Sequence, residues 1–414
     1  MKQILTYILI FLIGIILSCK DKSTNPPDDY PPGYQHDIPW PSLADSPWPM
    51  FQKDPQNSGR SNLSGPMQGQ IKWKSELTFG VSPSFFNINH KKEVLVTYSS
   101  VKPDSTVKTS DYLLSFSVLG ELLWYHNLCK PNSNRQDEIS APVTTYDGIT
   151  YTSSPCGILF SLRPDNSVLW EFDAGEPIYN GVGGLNIDKE GNIYFSTISK
   201  FYSLDKNANI RWTKDKYGRQ KAVFSADGST IYIKSEGTID ALNIGGTLKW
   251  SYPITSGDYL LFLISDSQSN IYFADNKYFY SITPLGELRW DYKIETSDDF
   301  NYDISPTMDK NGNIYFSTRN YFYSLNYEGK LRWKLEGIGK GGSHLINDIN
   351  GNVFVADCLG GKLYSVSNEG NINWFLNLGV DSYIYSALAI GENSTLYILT
   401  ENPKIASSTI YAIY

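Results

Sequence analysis

From about residue 66 onward the chain alternates apolar and polar positions in short runs, broken by Gly-containing turns, and the whole pattern recurs. Set in register, the clearest copies are EGNIYFSTISKFYSLDKNANIRW (190–212), QSNIYFADNKYFYSITPLGELRW (268–290) and NGNIYFSTRNYFYSLNYEGKLRW (311–333). Looser copies cover 147–170, 227–250 and 350–374. Each unit reads as a strand A, a D/N-G turn, a strand B such as NIYFS, a short turn, a strand C such as FYSL, another turn, and a strand D ending on Trp. Four strands in about 40 residues leave no room for a crossover helix, and that unit is the blade of a β-propeller.

The repeat is anchored on Trp73, Trp124, Trp170, Trp212, Trp250, Trp290, Trp333 and Trp374. Two residues before each stands an aliphatic: Ile71, Leu122, Val168, Ile210, Leu248, Leu288, Leu331 and Ile372. Positions i and i+2 of a strand share a face, so each pair is expected to form one buried stripe. Four residues before the Trp is Gly in six copies, with Asn166 and Ala208 in the other two. Gly or Asn there supplies the positive φ of a tight hairpin. At Ala208 the neighbouring Asn207 and Asn209 are expected to shift the turn by a residue. The last copy (393–414) stops at strand C, and GQIKW (69–73) has a strand D with no B or C before it. The two halves predict an all-β, eight-bladed ring of four-stranded antiparallel blades, with the N-terminal strand closing the last one and removing its free edge.

The amino terminus has a different character. MKQILTYILIFLIGIILS (1–18) starts positive at Lys2 and runs apolar from Ile4 to Leu17, which suits a leader peptide and is short for a membrane span. Ile16-Leu17-Ser18-Cys19 resembles the bacterial lipobox, which implies cleavage before Cys19 and lipidation of that residue. Each buried methylene of an acyl chain contributes about 0.8 kcal/mol, and several chains together make release negligible. Residues 19–47, rich in Pro and Asp, are expected to form an extended tether, leaving 48–414 as the propeller.

Composition supports this division. The 414 residues include 30 Tyr, 19 Phe and 10 Trp, a balance suited to pleated surfaces, and one compact core of that length is disfavoured. The formal charge is −8, and loss of Lys2 with the leader makes the mature chain more acidic, which argues against nucleic acid and against charge-driven adhesion to anionic headgroups.

The G-x-x-x-W endings, their spacing and the opening WPMFQKDPQNSGRS (48–61) resemble the pyrroloquinoline-quinone (PQQ)-like propeller repeats. That superfamily holds quinoprotein alcohol dehydrogenases and the lipoprotein propeller of the outer-membrane barrel-assembly machinery. The resemblance implies an eight-bladed ring whose opening segment packs near the closing blade. Dehydrogenases of that group carry two adjacent cysteines beside the cofactor and a Thr before the repeat Gly. Here the mature thiols are Cys129, Cys156 and Cys358, none adjacent to another, and the residues before Gly include Glu328, Leu285 and Glu369. PQQ with calcium is therefore not expected to bind.

Other chemistry is sparse. His36, His90, His126 and His344 show no metal-ligand spacing, and no G-x-S-x-G elbow supports a serine hydrolase, although a zinc site or Ser-His-Asp triad could still assemble across blades. Gly337-Ile-Gly339-Lys-Gly-Gly342 matches the dinucleotide fingerprint but follows a Trp-ended strand and reads as an inter-blade loop. Asp188–Asn192 and Asp309–Asn313 look like calcium loops but lack the closing Glu and read as A–B hairpin turns. Cys129 and Cys156 flank neighbouring blades, so an exported chain could join them and leave Cys358 over. Residues 99–112 are expected to lengthen the B–C turn of the first blade into an exposed loop.

The sequence thus points to a monomeric, lipid-anchored propeller of the bacterial envelope, at the outer membrane, that acts as a non-catalytic scaffold for protein partners. A PQQ-dependent dehydrogenase and a surface glycan-binding propeller are the alternatives.

Overall fold

The computed structural model describes residues 30–78, 85–101, 108–129, 139–178, 184–218, 221–235, 237–254, 263–275, 277–295, 298, 305–340, 344–358, 360–379, 381–405 and 407–414. The strands form eight four-stranded antiparallel sheets, and seven of them follow chain order from inner to outer strand. The eighth is ordered Ile71–Thr78, Ser407–Ile413, Leu396–Asn402, Ala389–Ile390, so the N-terminal strand closes it as the outermost member. The protein is an eight-bladed β-propeller, and the described residues contain no helix. Blade 1 covers 86–129, blade 2 143–173, blade 3 186–215, blade 4 223–253, blade 5 264–293, blade 6 307–336 and blade 7 346–377.

Antiparallel order places the A–B and C–D turns on one rim of the ring and the B–C and D–A connections on the other. Every A–B turn has five residues. The D–A connections between blades vary from seven residues (79–85) to thirteen (130–142). In five blades an Asx turn at Asn89, Asp188, Asp266, Asp309 or Asp348 fixes the A–B turn, Thr145 and Ser225 hydroxyls serve in two more, and the eighth begins at Gly391. Asp188 Oδ1 accepts from the backbone N–H of Glu190 and Asn192, and its Oδ2 accepts from Asn192 Nδ2 and the Tyr194 hydroxyl, at 2.8–3.0 Å. Asp309 does the same with Asn311, Asn313 and Tyr315. Both carboxylate oxygens are occupied by protein donors, which accounts for the calcium-like spelling as turn chemistry.

The stripe expected along the outer strands is not there. Of the aliphatics two residues before Trp, seven are 44–55% exposed. The cause is a register break repeated in the outer strands: Ser203 pairs with Trp212, yet Leu204 pairs with Ile210. The same break separates Trp250 from Leu248, Trp290 from Leu288, Trp333 from Leu331 and Trp73 from Ile71. A bulge residue between the two cancels the i, i+2 rule. In blades 3, 5 and 6 that bulge residue is Arg211, Arg289 or Arg332, whose Nη1 donates inward to a tyrosine hydroxyl and a serine.

Each Trp instead holds the next blade. The indole N–H of Trp73, Trp170, Trp212, Trp250, Trp290 and Trp333 donates to a carbonyl in the C–D turn of the following blade, at 2.8–3.1 Å. Trp374 reaches Pro66 O just ahead of the closing strand, and Trp124 is the exception, donating to Glu93. The rings of Trp73, Trp212, Trp250, Trp290, Trp333 and Trp374 lie on the turn glycine of the neighbouring unit, whereas the turn that Trp170 reaches carries Ala208 instead. A Cβ on Gly329 would stand 2.4 Å from Trp290, and one on Gly69 2.4 Å from Trp374. Glycine there therefore answers to a flat ring as well as to positive φ. Ala208 keeps its place in the turn with φ 67°, so the one-residue shift expected from its Asn neighbours does not occur. Trp374 is buried and the other seven are partly buried against the apolar clusters of the blades, so the girdle packs on the core and, except at Trp124, also clasps the next blade.

The segment 99–112 is also built otherwise than expected. Val94–Val101 and Lys108–Phe116 are long strands paired as far as Val101 with Lys108, so most of the insertion extends the blade, and 102–107 fall outside the described residues.

Candidate functional site on the propeller axis

The chain before the first blade fills the centre of the ring. Residues 30–47, read from sequence as tether, already lie on the protein. Gln35 N donates to Lys310 O, Trp40 packs edge-on against Phe224, and Leu43 bridges to Thr145. Residues 48–59 then make a circuit inside the channel. The inward N–H groups of Ile88, Thr144, Phe224, Ser265, Met308 and Asn347 donate in turn to the carbonyls of Trp48, Pro49, Pro55, Gln56, Ser58 and Gly59. Inner strands present an open edge to the channel, and this segment satisfies it blade by blade. Blade 3 takes part through Asn186 Nδ2, which donates to Pro55 O. Trp48 belongs to the apolar cluster shared by blades 1, 7 and 8, and the segment continues past blades 1 to 7. Gln52, Lys53 and Asn57 turn with φ of 54°, 71° and 57°, left-handed conformations that non-glycine residues hold only when their surroundings dictate them.

Phe51 is buried within this segment. Around it stands a ring of equivalent positions, each three residues before the last residue of an inner strand: Phe85, Ala141, Gly184, Lys221, Ser305, His344 and Ala387, with Phe262 outside the described residues. Phe51, Phe85, Ala141 and Ala387 form one apolar cluster. On the other side Lys221 Nζ lies 4.1 Å from the centre of the Phe51 ring, and His344 meets that ring edge-on at 5.3 Å. Ser305 Oγ and His344 Nδ1 are 3.0 Å apart across blades 6 and 7. Burial lowers the His344 pKa to about 3, with the positive charge of Lys221 adding to the effect. Burial likewise holds Lys221 well below the ordinary lysine range, against the attraction of Asp54. The Lys221 amine is buried without a hydrogen-bond partner.

Sequence reasoning singled out His344 only as one of four histidines and did not find Lys221, Ser305 or Phe51. A signal existed: aligning the copies on the A–B turn puts these residues in one column, where Lys, Ser and His stand out among Phe, Ala and Gly. The other histidines are dispersed. His36 packs with Tyr30 and Tyr34, His90 lies over Gly148, and His126 meets Phe160. Among the described residues no three His, Cys, Asp or Glu side chains converge as a metal site. The G-x-G-x-x-G run begins a D–A connection with no helix after it, and 341–343 are outside the described residues. Cys156 is disulfide-bonded, the side chain of Cys129 is outside the described set, and Cys358 is a buried thiol. Cys19 and the leader also lie outside it.

No protein-family model matches the sequence, and no curated protein matches it. Solved structures do. A europium-containing methanol dehydrogenase superposes with a TM-score of 0.63 at 11% identity, covering 89% of this chain and 98% of its own. The C-terminal WD40 domain of Sif2 gives 0.62 at 12% identity over 84% of this chain and 99% of its own. BamB from Moraxella catarrhalis gives 0.44 at 16% identity over 66% and 95%. At 11–12% identity the likeness to the methanol dehydrogenase and the WD40 domain is one of fold, the propeller.

Proposed function

We propose that this chain is a lipid-anchored envelope propeller that binds protein partners through its rim of D–A and B–C connections and performs no catalysis of its own. The observation that carries the reading is the inequality of the two rims. One is built from eight A–B turns of identical length, and the entering chain bonds to those of blades 2, 5 and 6. The other carries connections of unequal length, and variable loops on a rigid ring are where recognition is built. The described chain begins on the uniform rim, where Tyr30 stacks on Tyr34 at 4.0 Å and Tyr34 lies beside Lys310 of an A–B turn. An anchor at Cys19 would hold that rim toward the membrane and present the variable rim outward.

The test is site-specific photo-crosslinking in membranes. A photoreactive residue at Ile198, Tyr385 or Ile405, exposed on the variable rim, is expected to give adducts of discrete mass. The same group at Tyr146 or Leu285, exposed on the uniform rim, is expected to give none. Adducts from the uniform rim alone, or from neither, would refute the reading. Cys19→Ala is expected to move the chain from the membrane to the soluble fraction.

A further inference from the structure

We propose that the uniform rim is a lipid-contacting face, seated on the neutral headgroups of a bilayer through the apolar tips of its outer turns. The inference rests on the orientation proposed above, with the anchor on this side of the ring. Leu119 and Leu285 stand at the same position, the third residue of the C–D turn, in blades 1 and 5. Met67 lies next to Pro66, just ahead of the strand that closes blade 8. The three are 68, 74 and 70% exposed. A single exposed leucine calls for no explanation, but the placement of these does. Blades 1 and 5 face each other across a ring of eight, so the tips lie far apart at one level and mark out a plane. A plane that wide suits a continuous flat surface better than the groove or knob of a folded partner. Behind the tips stand the exposed heads of the outer strands, Ile71, Leu122 and Leu288, which carry the apolar surface onto the wall. That gives it depth, as entry of about 5–10 Å into the headgroup boundary requires. Charge selects the lipid. On these turns Glu121, Asp165, Asp205, Glu287, Glu328 and Glu369 outnumber Arg163, Lys206 and Lys330, so zwitterionic headgroups fit and anionic ones repel. The chain before the structure ends on the same rim. Cys19 and Tyr30 are eleven residues apart, a span of at most about 40 Å. A tether that short keeps the rim at high effective concentration beside the bilayer, where individually weak contacts suffice.

The test places an environment-sensitive fluorescent residue at Leu119, Leu285 or Met67, with Ile405 on the variable rim as the control. The mature chain is coupled through the Cys19 thiol to a maleimide phospholipid in phosphatidylcholine vesicles, so the result does not depend on acylation in the cell. A nitroxide-bearing lipid quenches only fluorophores that touch the bilayer. It is expected to remove most of the emission at the three tips and to leave Ile405 unchanged. Leu119→Glu combined with Leu285→Glu, both on the surface, is expected to return the emission at Met67 to the level seen at Ile405. Tips that the nitroxide lipid does not quench would overturn the proposal, and a blue shift without quenching would show that a second copy of this chain covers the rim instead. Quenching at Met67 that survives the double substitution would overturn it too, because the tether alone would then account for the contact. Failure of the anchor is read separately, from the fractionation of Cys19→Ala, so the two failures are told apart.

Discussion

The outer wall and the axis of this ring follow opposite rules. On the wall one arrangement recurs at six of the eight interfaces: a bulged outer strand, an indole that donates across to the next unit, and a turn glycine beneath that indole. On the axis the equivalent described positions read Phe85, Ala141, Gly184, Lys221, Ser305, His344 and Ala387, with no common residue type. The difference is geometric. Wall residues meet only the adjacent blade, so one solution serves at most interfaces, as in other repeat architectures. Phe85, Ala141, Lys221, His344 and Ala387 instead gather around one residue, Phe51, of a segment that has no rotational symmetry. Each must therefore fit a different side of that residue. Periodicity marks what builds the ring, and loss of periodicity marks what was fitted to its contents.

The sharpest way to break the comparison is at the tip of that segment. Phe51 is 1% exposed and touches Phe85, Lys221 and His344. Truncation to Ala removes a buried aromatic from a filled channel and is expected to cost about 3–5 kcal/mol in denaturant unfolding. A loss below about 1 kcal/mol would mean that the axis is filled but not relied on.

The wall is tested by two glycines that share a left-handed φ and differ in their neighbours. Gly191 has nothing within 4 Å of its absent Cβ, whereas Gly329 faces Trp290 at 2.4 Å. Gly191→Ala pays only for backbone conformation, about 1–2 kcal/mol. Gly329→Ala must also displace a ring held by its bond to Tyr327 O, and is expected to cost about 1–3 kcal/mol more. Equal losses would show that the indole clasp yields freely and that turn conformation alone explains the glycine.

The axis also makes a statement about acid. His344 in the fold titrates near 3 against about 6.5 in the unfolded chain. The unfolded state then binds more protons between those values. The contribution of this residue is complete above about pH 6.5 and is lost as pH falls toward 3, by up to about 1.4 kcal/mol per pH unit. Chemical denaturation at pH 7, 6, 5 and 4 is expected to show a shallower acid decline for His344→Gln than for the wild-type chain. Parallel declines would place the acid sensitivity elsewhere.

What could be read from the sequence divides along the same line. Blade number, strand order and closure by Ile71–Thr78 follow from repetition, because hydrogen bonding across a sheet leaves the same two-residue pattern in each copy. The Trp positions were equally visible, but their role was not, since whether Trp333 sinks into its own blade or reaches the next is decided by contacts between copies. The axial group was harder still. Lys221, Ser305 and His344 lie in three blades and meet only because the ring closes, and Phe51 comes from a stretch with no period, which pattern reading assigns to the approach of the domain rather than to its centre.

The smallest expected effect isolates the one place where the pattern misleads. Strand periodicity puts Leu331 and Trp333 on one buried face, and an unbroken strand would make Leu331→Thr cost about 1–2 kcal/mol through lost apolar burial. The bulge between them leaves Leu331 paired with Leu325 yet 45% exposed at the corner of the outer wall. Thr brings a β-branched side chain suited to an edge strand and removes little area that water does not already reach. The melting and denaturant midpoints of Leu331→Thr should thus stay within about 0.5 kcal/mol of wild type. A loss of about 1.5 kcal/mol or more would mean that the leucine is covered in solution, either by a straightened strand or by a partner on the outer wall. Repeating the unfolding at several protein concentrations separates these, because only a second copy as partner makes the loss depend on concentration.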